Sequence, residues 1–406
     1  MSAVRPVGPG FSPLDETLGL LSGVAFTPWL VESIVRLGTL LPFAQAPEIL
    51  KHFTGVTVSA ATVRRLTEVA GAMQEQVERA EVARLERELP AAPAGPAVQL
   101  LSVDGAMAPL VGGTWAEVKT LAIGTVEARA TGVRTQELSY FSRLADAETF
   151  TRLATIETQR RGTASARTVV AVVDGAAWCQ GFIDTQRFDA VRVLDFAHAL
   201  EHLGQVAHAV YGAGTSSASE WLGQQAQALR HGDEQQVLDR LATLGEAPHC
   251  GSEARTLIQQ NHDYLAARIE QIRYDTFVAA GYPIGSGCVE SANKLLVEAR
   301  LKGSGMHWAR ANVNPMLALR TLECNQRWEE GWPTLWQAWR RAARVRASHR
   351  RQARRASGQA PTPAACAVPH PAVDIVERPS RPKTIVNGKP TIDHPWRRSS
   401  PIAAKP

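Results

Sequence analysis

Residues 168–175 read Thr-Val-Val-Ala-Val-Val-Asp-Gly, and residues 100–105 read Leu-Leu-Ser-Val-Asp-Gly. Both are short apolar runs of the kind a buried strand needs. Both end in the same dipeptide, so Asp104 and Asp174 each stand at the C-terminal end of a strand. The glycine that follows is expected to let the backbone turn away sharply. A carboxylate in that position is costly to desolvate unless something cationic meets it. Two of them on neighbouring strands predict a divalent-metal site.

Outward from these runs the hydrophobic period divides the chain. Val98 to Asp104 is a first strand, Trp115 to Val126 a second and Thr135 to Leu144 a third. Ala147 to Arg161 has apolar Phe150, Leu153 and Ile156 at helical spacing. Thr168 to Asp174 is a fourth strand and Ala190 to Asp195 a fifth, with a helix from Phe196. The order β-β-β-α-β-(α)-β-α predicts an α/β fold with a ribonuclease H-like core. In that core the first and fourth strands are neighbours, so Asp104 and Asp174 converge.

Before the sheet, residues 1–90 read as an all-α domain. Ser59 is an N-cap for a helix beginning at Ala60, after a helix near Phe43 to Phe53 and the turn at Gly55. That helix-turn-helix pattern carries Arg64 and Arg65, two candidate DNA contacts. Residues 91–97 are rich in Pro, Ala and Gly and read as a linker. The catalytic domain then covers 98–340, with a helical insertion over about 203–280. Residues 341–406 form a basic Pro- and Arg-rich tail, expected to be largely disordered.

Composition excludes several classes. The 406 residues carry a net charge of +5 and 45% hydrophobic residues, as soluble globular chains do. The charge is concentrated between Arg340 and Arg355, which fits a polyanionic partner. Five cysteines without a C-x-x-C pair argue against a disulfide framework and a Cys-rich zinc knuckle. There is no signal-peptide pattern and no apolar run near the roughly 18 residues a membrane span needs. A cytoplasmic, nucleoid-associated protein with no membrane contact is expected.

Two chemistries compete for the polar residues. Asp104, Asp174 and a helical glutamate would suit two Mg²⁺ (or Mn²⁺) ions, one for the attacking and one for the leaving oxygen of phosphoryl transfer. Spacing alone does not separate Glu290 from Glu298, and Asp195 is an alternative second ligand. Alternatively, His198, Glu201 and His202 fit H-x-x-E-H, the zinc pattern of a peptidase class, with Glu270 as a third ligand. The simpler role for His198 and His202 is accessory: anchoring the insertion or lining a DNA path.

At these residues the chain resembles the Kra-group bacterial insertion-sequence transposases, a DDE-type branch of the ribonuclease H-like superfamily. The most specific stretch is Gly281 to Trp308, GYPIGSGCVESANKLLVEARLKGSGMHW. PLDETLGL (Pro13 to Leu20), SVDG (Ser102 to Gly105), VVDGAAW (Val172 to Trp178) and LDFAHALEHL (Leu194 to Leu203) support it, with an echo at His394 to Arg397. The resemblance implies that Asp104, Asp174 and Glu290 are catalytic, metal-binding acids. It implies DNA cleavage and strand transfer, transposon ends and target DNA as partners, and a homo-oligomer in the active complex. It also implies that Lys294, Arg300, Lys302 and Trp308 meet phosphates or a flipped base. An upstream DNA-binding segment of longer members is expected to be missing. A non-catalytic helix-turn-helix DNA-binding protein is the second reading.

Overall fold

The computed structural model describes residues 26–129, 132–247, 251–303, 305–356, 385–386 and 389–390. Those from 26 to 349 belong to one compact unit, and those from 350 onward to a second. The Pro13 to Leu20 and His394 to Arg397 motifs lie outside the described residues, as does most of the expected tail. Residues 341–356 are an exception to the expected disorder, because they continue a helix. Among the described residues, no helix is long and apolar enough to cross a membrane.

Three helices come first: α1 (Pro28–Leu40), α2 (Ala46–Thr54) and α3 (Ala60–Glu88). Thr27 caps α1, with Pro28 in its first turn. Gly55, at φ 71°, ends α2 in the left-handed conformation. Ser59 then caps α3 by accepting from Thr62 N. The chain continues into β1 (Val98–Pro109), β2 (Trp115–Arg129), β3 (Gly132–Arg143), α4 (Ala147–Arg160), β4 (Thr168–Val173), α5 (Ala177–Arg187) and β5 (Val191–Leu194).

These strands form one mixed sheet in the order β3-β2-β1-β4-β5. The three long strands meander antiparallel, while β1, β4 and β5 run parallel. One expectation fails at β1. The strand does not turn at Asp104-Gly105 but runs on to Pro109, because β2 keeps pairing with it as far as Trp115. Gly105 stays in the ladder opposite Lys119. Its glycine character matters because a β-carbon would strike Glu117.

Both faces of the sheet are covered. Leu101, Val103, Val169, Ala171 and Val173 pack with Phe150, Phe182 and Ile183 of α4 and α5. On the other face, Leu100, Val170 and Val172 meet the insertion, which comprises α6 (Phe196–Tyr211), α7 (Ser216–Arg230), α8 (Glu234–Glu246), α9 (Ser252–Ala266) and α10 (Tyr274–Ala279). Further along β1, Ala106 and Ala108 meet a separate helical group. That group is α11 (Gly287–Asn293), a π-helical turn (Lys294–Glu298), α12 (Ala299–Leu301) and α13 (Arg310–Cys324). Asp104 lies on the same strand face, between Leu100 and Ala106, at the seam of the two groups.

The expected 91–97 linker does not separate domains. Gln159 Nε2 donates to the carbonyls of Pro90 and Ala91, and Ser165 Oγ donates to that of Pro93. The N-terminal helices share a core with α13 and with α14 (Trp328–Ala356): Leu30, Ile34, Leu66 and Ala70 pack with Leu319, Trp328 and Trp332. At Gly71 of α3 a β-carbon would strike the backbone of Pro315 in α13, so glycine permits the close approach. The exposed edge of the sheet is also closed. Asn325 and Asn314 use both amide groups on the backbone of Tyr140 and Leu144, continuing the hydrogen-bond ladder with side chains.

Arg143, at the end of β3, is fully buried and ion-paired with buried Glu78 of α3. Removing one partner of such a pair leaves a buried charge unanswered. Glu78→Leu is expected to lower the free energy of unfolding by about 3–5 kcal/mol. The Glu78→Leu/Arg143→Met double substitution should recover most of that. Urea denaturation of the three proteins checks this, and a double variant no better than the single one refutes it.

Candidate active site at the strand ends

The strand registers place the acids. Val98 pairs with Thr168 and Leu101 with Ala171. Continuing that register puts Asp104 opposite Asp174. Val173 pairs with Leu194, which puts Asp174 opposite Asp195. Three carboxylates therefore stand in one row across β1, β4 and β5. Glu290, in the first turn of α11, joins them: Asp104, Asp174, Asp195, His198, Ser286 and Glu290 line a single pocket. Glu298 does not line it and is tied to Lys302 Nζ at 2.8 Å.

The four carboxylates are held differently. Asp104 Oδ1 accepts from Gly105 N at 2.7 Å, and Oδ2 from Asn293 Nδ2 at 2.8 Å. Asp174 Oδ1 accepts from Ala176 N at 3.0 Å and from the Cys179 thiol at 3.3 Å. Its Oδ2 has no donor among the described residues. Glu290 is exposed, and its Oε1 accepts from Ser286 Oγ at 3.2 Å. Asp195 is the most buried, at 4% exposure, and both its oxygens are occupied. Oδ1 accepts from His198 N at 2.8 Å, capping α6, and Oδ2 accepts from Ser286 N.

Burial holds the carboxyl of Asp104 above its usual range. The Gly105 N–H and the Asn293 amide oppose this, while the charges of Asp174 and Glu290 push the same way as burial. Burial also pushes the Cys179 thiol far up, with Asp174 reinforcing it, so Cys179 is a neutral donor here. No Lys or Arg lines the pocket that holds these acids.

The β4 turn is fixed from the insertion. Gly175 has φ 80°, and a β-carbon there would strike the Tyr264 hydroxyl. Tyr264 donates its hydroxyl to the carbonyl of Asp174 at 2.6 Å, and Arg268 Nη2 donates to that of Gly175 at 3.0 Å. The Tyr264 ring lies between the Arg268 guanidinium, 3.8 Å from its centroid, and the stacked His202 ring at 3.9 Å.

His202 is thus an anchor of the insertion. Asn261 spends its amide N–H on Leu257 O, so its Oδ1 accepts from His202 Nδ1 at 2.6 Å. Burial pushes the imidazole below its usual value, favouring the neutral ring. His198 lines the acid pocket, with Nδ1 3.3 Å from Glu201. Glu270 is bound to Arg273 at 2.6 Å at the surface. Glu270, the example third ligand of the H-x-x-E-H reading, does not line the pocket that His198 lines. Among the described residues, no three His, Cys, Asp or Glu side chains close into a ready-made metal cage.

Arg64 and Arg65 are exposed on the first turns of α3, and Lys294 is exposed on the π-helical turn. Lys294 and Lys302 border a second depression that shares Asp104 and Glu290 with the acid pocket. Arg300 and Trp308 correct the expectation of DNA contact. Both are buried, at 1% and 6% exposure. Arg300 donates through Nε and Nη2 to Gly38 O and lies over the rings of Phe43 and Trp308. Burial, helped by Arg320, pushes its guanidinium down to about 10. Trp308 donates its Nε1 to Leu301 O. Sequence reading missed Asn293, although it sits three residues after Glu290 on the same helix face. It also missed Ser286, Tyr264 and Arg268, which carry no local signal. No family model matches this chain, and no curated protein matches it either.

A carboxyl raised on folding holds its proton more tightly in the folded chain. Its contribution to stability is full below the ordinary range, near about pH 3.9, and declines as pH rises through the raised value. In Asp104→Asn the decline disappears. With the Asn293 amide turned over, the new N–H₂ donates to Asn293 Oδ1, which is buried without a donor, in place of the bond from Nδ2. Thermal melts in EDTA from pH 4 to pH 8 should show the variant gaining on the wild type as pH rises. A variant less stable than the wild type at pH 7 contradicts this.

Proposed function

We propose that this chain is a metal-dependent DNA strand transferase of the DDE type, built on a ribonuclease H-like core. The observation that carries the reading is the meeting of Asp104, within β1, and Asp174, at the end of the adjacent parallel strand β4, with Glu290 in one pocket. A β3-β2-β1-β4-β5 sheet, meandering and then parallel, agrees with that core.

The donors fit Mg²⁺ or Mn²⁺. They are hard carboxylate oxygens, the class these ions prefer. Asp174 Oδ2 and the second oxygen of Glu290 lack donors among the described residues, and no Lys or Arg lines the pocket to answer them. Asn293 adds a buried amide oxygen without a donor beside Asp104. Asp104, Asp174 and Glu290 would hold two ions. When bound, the ions supply positive charge for the attacking and leaving oxygens of an in-line displacement.

The chain's own residues do the rest. Asn293 and Gly105 fix the Asp104 carboxylate, and Tyr264 and Arg268 fix the turn that presents Asp174. Lys294 and Lys302 meet phosphates along the depression that shares Asp104 and Glu290. Arg64 and Arg65 contact DNA ends from α3. Joining two ends to a target calls for at least two copies in the active complex. On this reading the protein works at the nucleoid.

A plasmid carrying the DNA that flanks the coding region is the test substrate. Nicking and joining should need Mg²⁺ or Mn²⁺ and vanish in EDTA. Asp174→Asn and Glu290→Gln should each lower the rate at least about 100-fold, since even outer-sphere partners of a metal typically cost 10–100-fold. Binding without cleavage by the wild type would instead favour the non-catalytic DNA-binding protein. Arg64→Ala and Arg65→Ala should weaken binding to all sequences, each reducing the slope of log affinity against log salt by about 1. An unchanged slope removes α3 from the interface.

A further inference from the structure

We propose that Asp195 is a positioning residue that sets Glu290 through Ser286, and not a ligand of the metal. The inference rests on reading Asp104, Asp174 and Glu290 as the metal-holding acids. By strand register alone Asp195 is as well placed as Asp174, since the three aspartates stand in one row. Their partners differ in kind. Asp174 keeps one oxygen without a donor, Asp104 gives one oxygen to a side-chain amide that can turn, and Asp195 has given both to backbone N–H groups, His198 N and Ser286 N. Asp195 is also the most buried of the row, at 4% exposure, so the lone pairs that remain on its two oxygens face packed backbone on both sides.

The two bonds join distant segments. His198 N belongs to the first turn of α6 and Ser286 N to the loop before α11, so Asp195 ties the end of β5 to the helix that carries Glu290. A backbone bond reinforces the tie: Phe196 N donates to Ile284 O at 2.9 Å. Ser286 passes the constraint on. Its carbonyl accepts from Val289 N and Glu290 N, starting α11, and its hydroxyl donates to Glu290 Oε1. α11 has only seven residues before the π-helical turn and no side-chain N-cap bond, so Ser286 fixes where it starts. Asp195 thereby governs the direction in which Glu290 enters the pocket.

Asparagine at 195 keeps a carbonyl for His198 N but turns an amide N–H₂ toward Ser286 N, so two donors face each other. Asp195→Ser keeps only the helix cap. Both variants should break the Ser286 tie, and the serine variant serves if the asparagine variant does not fold. The full-length chain is examined by amide hydrogen exchange and by Mn²⁺ titration followed by electron paramagnetic resonance. Exchange across residues 284–290 should quicken at least about tenfold in either variant. Mn²⁺ stoichiometry should match the wild type, while Asp174→Asn loses bound ion. In the strand-transfer assay the rate at saturating Mn²⁺ should fall about 10–100-fold with the Mn²⁺ requirement unchanged.

Loss of Mn²⁺ in Asp195→Asn and Asp195→Ser comparable to that in Asp174→Asn overturns the proposal and makes Asp195 a ligand. Unchanged exchange across 284–290 overturns it as well. Should Asp174→Asn bind Mn²⁺ as the wild type does, the acid-set reading fails instead. The exchange result still decides whether Asp195 holds the segment.

Discussion

Placing a carboxylate on or just past a buried strand is unfavourable unless a donor or a cation meets it. Parallel register multiplies the constraint here, because it lines up Asp104 within β1 with Asp174 and Asp195 just past the ends of β4 and β5. Much of the molecule on that side of the sheet can be read as the response. Asp195 is met from within, by two backbone donors that also tie α6 to the loop before α11. Asp104 is met by one backbone donor and the Asn293 amide. Asp174 is met on one oxygen only. The row grades from a structural carboxylate to one with binding capacity to spare, and Glu290 adds a fourth at the open side.

The insertion belongs to the same response. Its helices bury their own apolar stripes against the sheet, but their polar contacts go to the carbonyls of the strand ends. Tyr264 and Arg268 take those of Asp174 and Gly175, and Tyr274 takes that of Leu194 at 3.0 Å. The stack of His202, Tyr264 and Arg268 holds the first two donors in place. The turn at φ 80° is thus held from outside by two hydrogen bonds, and it sets where the Asp174 side chain emerges.

Local patterns in the sequence were enough to anticipate the sheet. Short apolar runs, the dipeptides after Val103 and Val173, and the helix between the third and fourth strands are all short-range signals. What escaped is long-range. Nothing near Asp104-Gly105 reveals that β2 continues to pair beyond it, so a turn was expected where the strand runs on. Arg300 and Trp308 sit in a stretch rich in Gly and Lys that reads as exposed. Their partners, Phe43 and Gly38, lie more than 250 residues away in sequence. The proline-rich segment at 90–96 likewise reads as a linker until Gln159 and Ser165 are seen to hold its carbonyls. Asn293 was within reach, because residues three apart share a helix face.

The loss of that linker changes how the proposed DNA contacts relate to the acids. A tethered helical domain would set only an average distance between Arg64 and Asp104. In this fold α3 is bound to the rest at several points along its length: Glu68 accepts from Asn312 at 2.8 Å, Gly71 meets Pro315, and Glu78 pairs with Arg143. The same α13 that α3 packs against shares one apolar cluster with the π-helical turn and α11, the helix that carries Asn293 and Glu290. If α3 grips a DNA end, the spacing between that grip and the acid pocket is a property of the packed core. The position of cleavage relative to the recognised sequence would then be measured by side-chain packing, and a change in that packing would move the cut.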